Sequence, residues 1–485
     1  MRICRIVPAA AIAIAPLFFA TSCAVNPATG HHEFTLVSAG QELQIGREGY
    51  PATIAQYGLY DDPRLAAYVD SVGRRVASKS ELPTLEWHFT VLDDPVVNAF
   101  AMPGGYIYVT RGILAHLNSE AQLAGVLGHE IGHVTARHSA KQITQQQIAG
   151  LGLAIGGAFS PALQQYSGAA QQALGLLMLK YSRDDETQAD ALGIRYATAA
   201  GYDPREIPGT YATLKRISDR AGSSLPGYLS THPDPGDREA RTSALAQAAV
   251  AGRGGLEVRS HGYLEHLRGV VFGDDPRNGW LSGSRFTQPA MGFELELPAG
   301  WSAQNGHAAL VAAAPQQRAA MQWSAAANSG ALAPGDYVAA LRRDGRITDA
   351  AGAVETIGGW PAWVGRVSTA GDGGTTRVLF GAWVRTSGST LMQCLAQSTA
   401  VGDADEQAIA ASVRTLRPLA ASRRDVEPDR VRIRTAPTGG TVQALLTRLG
   451  PSSQSIEEFA ILNAVATDDR FMTGDWIKLV EPGRR

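Results

Sequence analysis

Three histidines and a glutamate fall in one short stretch of this chain, HEIGHVTARH, as His129, Glu130, His133 and His138. Residues four apart on a helix project from the same face one turn apart, so the imidazoles of His129 and His133 can meet a single metal ion. Zn²⁺ takes such nitrogens at about 2.0–2.1 Å. Glu130 sits beside the first ligand, where it can reach a metal-bound water without competing for the metal. This is the H-E-x-x-H arrangement of zinc peptidases. Val126, Leu127 and Ile131 would bury the rest of the helix. A glycine inside a helix costs about 1 kcal/mol, so Gly128 and Gly132 beside the motif imply that another backbone must approach closely.

Catalytic zinc takes three protein ligands and keeps one position open. His138 lies five residues past His133 and would point to another face of a continuous helix. The metzincin continuation fails, because Ala136 and Ser139 stand where it needs glycine and histidine. A later stretch, YSRDDETQADALGIRYATAAGYDP, reads as a second helix with Glu186 and Asp190 four apart on one face. Glu186 is a candidate third ligand. Asp190, one turn on, can accept a hydrogen bond from the free nitrogen of a ligand histidine and fix its tautomer. Spacing leaves Asp184 and Asp185 open as rival ligands, and a solvated acidic helix start would carry the same residues.

The elements that must hold these groups are legible in outline. Residues 40–265 are mostly helical by periodicity, with AGQELQIGREGYPATIAQYG and DDPRLAAYVDSVGRRVASKS both apolar at helical spacing. WHFTVLDDPVVNAFAMPGGYIYVTRGIL alternates instead and predicts a strand at 87–92 and a second near Ala101–Thr110. Asn118-Ser119 supplies the N-cap of the motif helix. Residues 141–180, rich in Gln, Ala and Gly, read as a lid-like helical segment or a plain packing helix. From 286 to 418, alternating runs and two helical patterns predict a small α+β domain. ASRRDVEPDR then reads as a charged linker, and a compact terminal unit of strand, two helices and strand follows.

At 485 residues the chain suggests two to four domains. A formal net charge of -2 with 18% charged residues gives no reason to expect a nucleic-acid partner. The N-terminus, MRICRIVPAAAIAIAPLFFATSC, has two early arginines, an apolar run too short for a membrane span and small residues before Cys23. It resembles a lipoprotein signal over residues 1–22, although Ala20 stands where leucine is usual. Lipidated Cys23 would begin the mature protein. Cleavage removes Cys4, leaving Cys394 alone, so no disulfide is expected. No aspartate follows Cys23, which by resemblance to bacterial lipoproteins implies the outer membrane, facing the periplasm.

HEIGH followed by YSRDDETQADALG and AGYDP resembles the gluzincin family that contains the CAAX prenyl endopeptidases, HtpX and the periplasmic BepA-like proteases. That family's pattern is HExxH followed by E-x-x-A-D, matched here by Glu186, Ala189 and Asp190. NPATG…LVS, NAFAMPGGYIYVTRGIL and THPDPGDR extend the resemblance over about 25–245. It implies a helical gluzincin core with a small β-sheet within residues 23–265. An edge strand near Ala101–Thr110 would pair with extended, unfolded substrates. It also implies one Zn²⁺ per chain on His129, His133 and Glu186, with Glu130 as general base. Asp190 carries over as the family's proton donor, a role that competes with orienting a ligand histidine. His232 carries over as a fourth metal ligand that holds the enzyme off, and Arg238 as an anchor for that loop or for substrate.

The expected function is a lipid-anchored zinc metalloendopeptidase acting on unfolded or misassembled envelope proteins. The rival expectations are an envelope- or peptidoglycan-binding lipoprotein whose protease is normally shut, and a chaperone-like factor. Residues 431–482 resemble a LysM-like module, a fold that binds N-acetylglucosamine-containing glycans, though a structural cap fits equally. Trp301, Trp323, Trp360, Trp363 and Trp383 are expected in the core of the middle domain.

Overall fold

The computed structural model describes residues 23–148, 175, 180–221, 228–232, 235–370, 375–449, 452 and 454–484. The signal-peptide reading of 1–22 and most of the lid-like segment fall outside these residues. No helix among the described residues is long and apolar enough to cross a membrane.

The helical domain is organised around the HExxH helix, Glu120–Thr135, which is buried along almost its whole length. Ser119 caps it by accepting a hydrogen bond from the Gln122 amide, which satisfies one of the orphan donors of the first turn. Pro63–Ala77 and Arg183–Ala199 both pack against it. The close approach predicted by the glycines is present. A Cβ on Gly128 would lie 2.9 Å from the Gly193 carbonyl, and one on Gly193 would lie 2.8 Å from the His129 amide. Gly132 faces the Ala189 backbone in the same seam. The two helices that carry the chemistry therefore touch backbone to backbone.

The small sheet differs from its sequence reading. The segment around Ala101–Thr110 is two strands, Ala99–Met102 and Tyr106–Thr110, joined by a turn at Pro103-Gly104-Gly105. Gly104 and Gly105 both adopt positive φ, which L side chains resist. Tyr106–Thr110 is the central strand, parallel to His88–Leu92 and antiparallel to Ala99–Met102, so the two edges are His88–Leu92 and Ala99–Met102 and not Tyr106–Thr110. Ala99–Met102 packs against the HExxH helix.

The middle region contains a seven-stranded antiparallel sheet and a four-stranded one whose first strand begins at Trp280. Helices Pro334–Arg343 and Ala404–Val413 pack on them. Trp323, Trp363 and Trp383 are buried, while Trp301 and Trp360 pack at the core's margin. Cys394 is buried as a free thiol. The charged linker is not free. Arg423 donates to Glu294 at 2.6 Å and Arg424 to the Leu419 carbonyl at 3.0 Å, so its guanidinium groups fasten it to the middle region.

The terminal unit has strands Arg430–Thr435 and Trp476–Glu481 paired antiparallel, with helices Val442–Leu449 and Ile456–Leu462 between them. It is docked, not tethered. Val431, Ile433, Leu462 and Val480 join the core of the helical domain. Lys478, fully buried, donates to the Ala115 and Leu117 carbonyls at 2.7 Å each. Those carbonyls lie in the last turn and at the C-cap of the short helix Arg111–His116, and burial pushes the Lys478 amine well below its usual value.

Candidate active site

His129 and His133 leave the HExxH helix on one face, and Glu186 leaves the facing helix across the glycine seam. His129 Nε2 lies 3.0 Å from His133 Nε2 and 3.4 Å from Glu186 Oε2, and His133 Nε2 lies 3.4 Å from Glu186 Oε1. His232 arrives from the one-turn helix Tyr228–Thr231. Its Nδ1 is 3.3 Å from His129 Nε2 and 2.9 Å from Glu186 Oε1. The four residues are buried, with donor atoms all within 4.8 Å of one another. Donors about 2.0–2.1 Å from a tetrahedral ion stand about 3.3 Å apart, and the separations among His129, His133 and Glu186 are close to that value. Two buried carboxylates, Glu186 and Asp190, converge on the buried guanidinium of Arg238, and a third, Glu130, is buried beside the histidines. The donor set, imidazoles and a carboxylate buried together with their donor atoms within reach of one ion, fits a divalent metal.

Glu130 is fully buried, and neither carboxylate oxygen has a hydrogen-bond partner among the described residues. Its Oε1 lies 3.7 Å from His232 Nε2. Burial raises its pKa above the usual carboxylate value, which suits a group that must take a proton and return it. A buried carboxylate without donors is costly and marks function more often than structure.

The candidate ligand side chains are themselves held. Asp190 Oδ1 lies 3.0 Å from His129 Nδ1. Asp190 also accepts from Arg238 at 2.6 Å, Arg241 at 2.8 Å and the Tyr211 hydroxyl at 2.8 Å. Burial opposes its ionisation, but Arg238 and His129 hold its carboxyl well below the usual range. Burial and Arg238 push His129 down, yet Glu186 and Asp190 carry its pKa up to about 9. Burial drives His133 well below its ordinary value. Glu186 is buried too, but His232 and His129 keep it ionised far below the carboxylate norm.

Among the rival ligands, Asp184 is exposed, and Asp185 is engaged with Lys141 at 2.7 Å and with Ser182, whose hydroxyl also caps the helix. Arg238, singled out in the sequence, anchors the loop by bonding Asp190 and lying 2.8 Å from Glu186 Oε2. Sequence reasoning missed Tyr181, stacked 3.9 Å from the His133 ring, and Tyr228, stacked 4.4 Å from His232. Their only signal was adjacency, Tyr181 opening the YSRDD run and Tyr228 standing one turn before His232.

Fold and donor set together define a metallopeptidase domain. Residues 63–246 match the model of peptidase family M48, and this domain is a metalloprotease. The chain is 39% identical over 175 residues to mitochondrial metalloendopeptidase OMA1 of Arabidopsis thaliana, covering 36% of this chain and 34% of that protein. It is 32% identical over 235 residues to the beta-barrel assembly-enhancing protease of Escherichia coli K12, covering 46% of this chain and 47% of that protein. An OMA1 of Schizosaccharomyces pombe is 30% identical over 234 residues, covering 46% of this chain and 66% of that protein. The chain thus spans about a third to a half of the first two relatives.

Proposed function

We propose that this protein is a zinc metalloendopeptidase of the bacterial envelope, BepA-like in type, that cleaves unfolded or misassembled envelope proteins. The observation that carries the reading is the buried set of His129, His133 and Glu186 with the unpartnered carboxylate of Glu130 beside it. His129, His133 and Glu186 would hold one Zn²⁺. When bound, Zn²⁺ supplies Lewis acidity toward the scissile carbonyl and the attacking water. Glu130 accepts the water's proton at a carboxylate oxygen and delivers it to the leaving amine nitrogen. Asp190 keeps the proton of His129 on Nδ1, so that Nε2 presents its lone pair; this geometry favours the orienting role over direct proton donation. Ala99–Met102, an edge strand packed against the HExxH helix, would be the strand to which an extended peptide adds, a mode that reads backbone more than side chains.

A shut resting state is also favoured by a specific observation. His232 Nδ1 lies 3.3 Å from His129 Nε2 and 2.9 Å from Glu186 Oε1, which supports its imidazole taking the position that catalysis needs open. His232 then acts as a gate, released when the Tyr228–His232 segment moves.

The signal-like N-terminus supports export, with a lipid anchor at Cys23 and placement on the periplasmic side of the outer membrane. Residues 431–482 are read as a LysM-like unit whose first task is to buttress the protease through Lys478, with peptidoglycan a further ligand. One experiment tests the central claim. Purified mature protein should carry about one zinc per chain, and Glu130→Gln should keep the zinc and lose casein cleavage. Protein prepared without chelators but free of zinc, or a variant as active as wild type, would refute it.

A further inference from the structure

His138 belongs to none of the roles above. On a continuous helix it would point away from the metal ligands, but the HExxH helix ends at Thr135 and the chain turns at Arg137, whose φ is 56°. That left-handed turn is costly for a non-glycine residue. It is held by Arg137 donating to Glu42 and to the Val37 carbonyl, both at 2.8 Å, and by Asn26 donating to the Ala136 carbonyl at 3.0 Å. The turn brings the buried His138 ring back under His133. Their Nδ1 atoms are 2.9 Å apart, and His138 Nε2 is 2.9 Å from Gln188 Oε1. Asp185 Oδ1 lies at 3.7 Å from the same Nε2, already paired with Lys141.

Two Nδ1 atoms at this distance share one proton, and the chain of contacts decides whose it is. Gln188 Oε1 only accepts, so His138 Nε2 carries hydrogen and its Nδ1 carries the lone pair. His133 Nδ1–H must therefore donate to His138, which leaves the His133 Nε2 lone pair facing the donor set. We infer that His138, set by Gln188, is the positioning residue that fixes the tautomer and ring angle of His133. The two histidines of the motif are then held by different devices: a carboxylate, Asp190, behind His129 and a neutral imidazole behind His133. The inference rests on the zinc reading.

The readout is zinc affinity, measured by competition with a chromophoric chelator, with unfolding of the metal-free variants as the control for folding. His138→Phe keeps the ring and removes the acceptor, and should weaken zinc binding by about 10–100-fold. His138→Asn places an amide oxygen where Nδ1 stood and should recover most of that loss. Gln188→Met should cost less than His138→Phe, because the His138 acceptor survives, and it serves if His138→Phe does not fold. Affinity of His138→Phe within threefold of wild type, no recovery in His138→Asn, or a larger loss in Gln188→Met overturns the inference. Wild type that binds no zinc overturns instead the metal reading beneath it.

Discussion

Asp190→Asn is the sharpest perturbation of the site, because it keeps the shape and removes a charge that the fold has committed to. Asp190 is buried, and its carboxylate takes bonds from Arg238, Arg241 and Tyr211 as well as facing His129. The amide can accept at one atom only, and its nitrogen would confront donors. Removing one partner of a buried ion pair costs about 3–5 kcal/mol, since the remaining charge stays buried. Arg238 retains Glu186 at 2.8 Å, so the lower end, about 3 kcal/mol, is expected in urea unfolding of the metal-free protein. Zinc affinity should also fall, by up to about 10-fold, as the proton on His129 Nδ1 exchanges a charged acceptor for a neutral amide oxygen that Arg238 and Tyr211 also contact. The pH dependence has a definite sign. Asp190's folded pKa is depressed, so its stabilisation is complete above the unfolded value of about 3.9. It is lost as pH falls through the lower folded value. Wild type should therefore lose its advantage over Asp190→Asn on acidification below about pH 4, and hold it at neutral pH. A variant within 1 kcal/mol of wild type and with unchanged zinc affinity would refute the account of Asp190 as a charged orienter.

His232→Ala should raise basal cleavage of an unfolded substrate with little change in zinc content, if the imidazole gates the site. A fall of roughly 10²–10³-fold in rate would instead assign it to stabilising the oxyanion. Gly193→Ala would push a methyl group to 2.8 Å from the His129 amide, and should destabilise by about 1–3 kcal/mol and weaken zinc binding, seen by thermal unfolding and chelator competition. Cys23→Ser should move the protein from the membrane to the soluble fraction, and retention in the membrane would refute a lipid anchor there.

The candidate donor set was legible in the sequence because its geometry is local. His129 and His133 share a face through helical periodicity alone, and Glu186 and Asp190 do so on the second helix. Gly128 and Gly132 announced that a backbone would approach, although not that Gly193 and Ala189 would be what approached. The choice of Glu186 over Asp184 and Asp185 came from family resemblance, and in the structure Asp185 is engaged with Lys141 and Ser182 while Asp184 points to solvent. What periodicity could not give were the encounters between segments distant in sequence. The order of the sheet depended on Tyr106–Thr110 pairing with both His88–Leu92 and Ala99–Met102, and helical or strand periodicity does not encode that pairing. The terminal unit's docking depended on where the buried Lys478 found its carbonyls, more than 300 residues away. His138 shows the limit most plainly. Helical spacing turned it away from His133, and only the left-handed turn at Arg137, held by Glu42, Val37 and Asn26, brought it back. A sequence pattern encodes the direction of a side chain while the helix lasts; once the chain turns, contacts far along it decide where that side chain points.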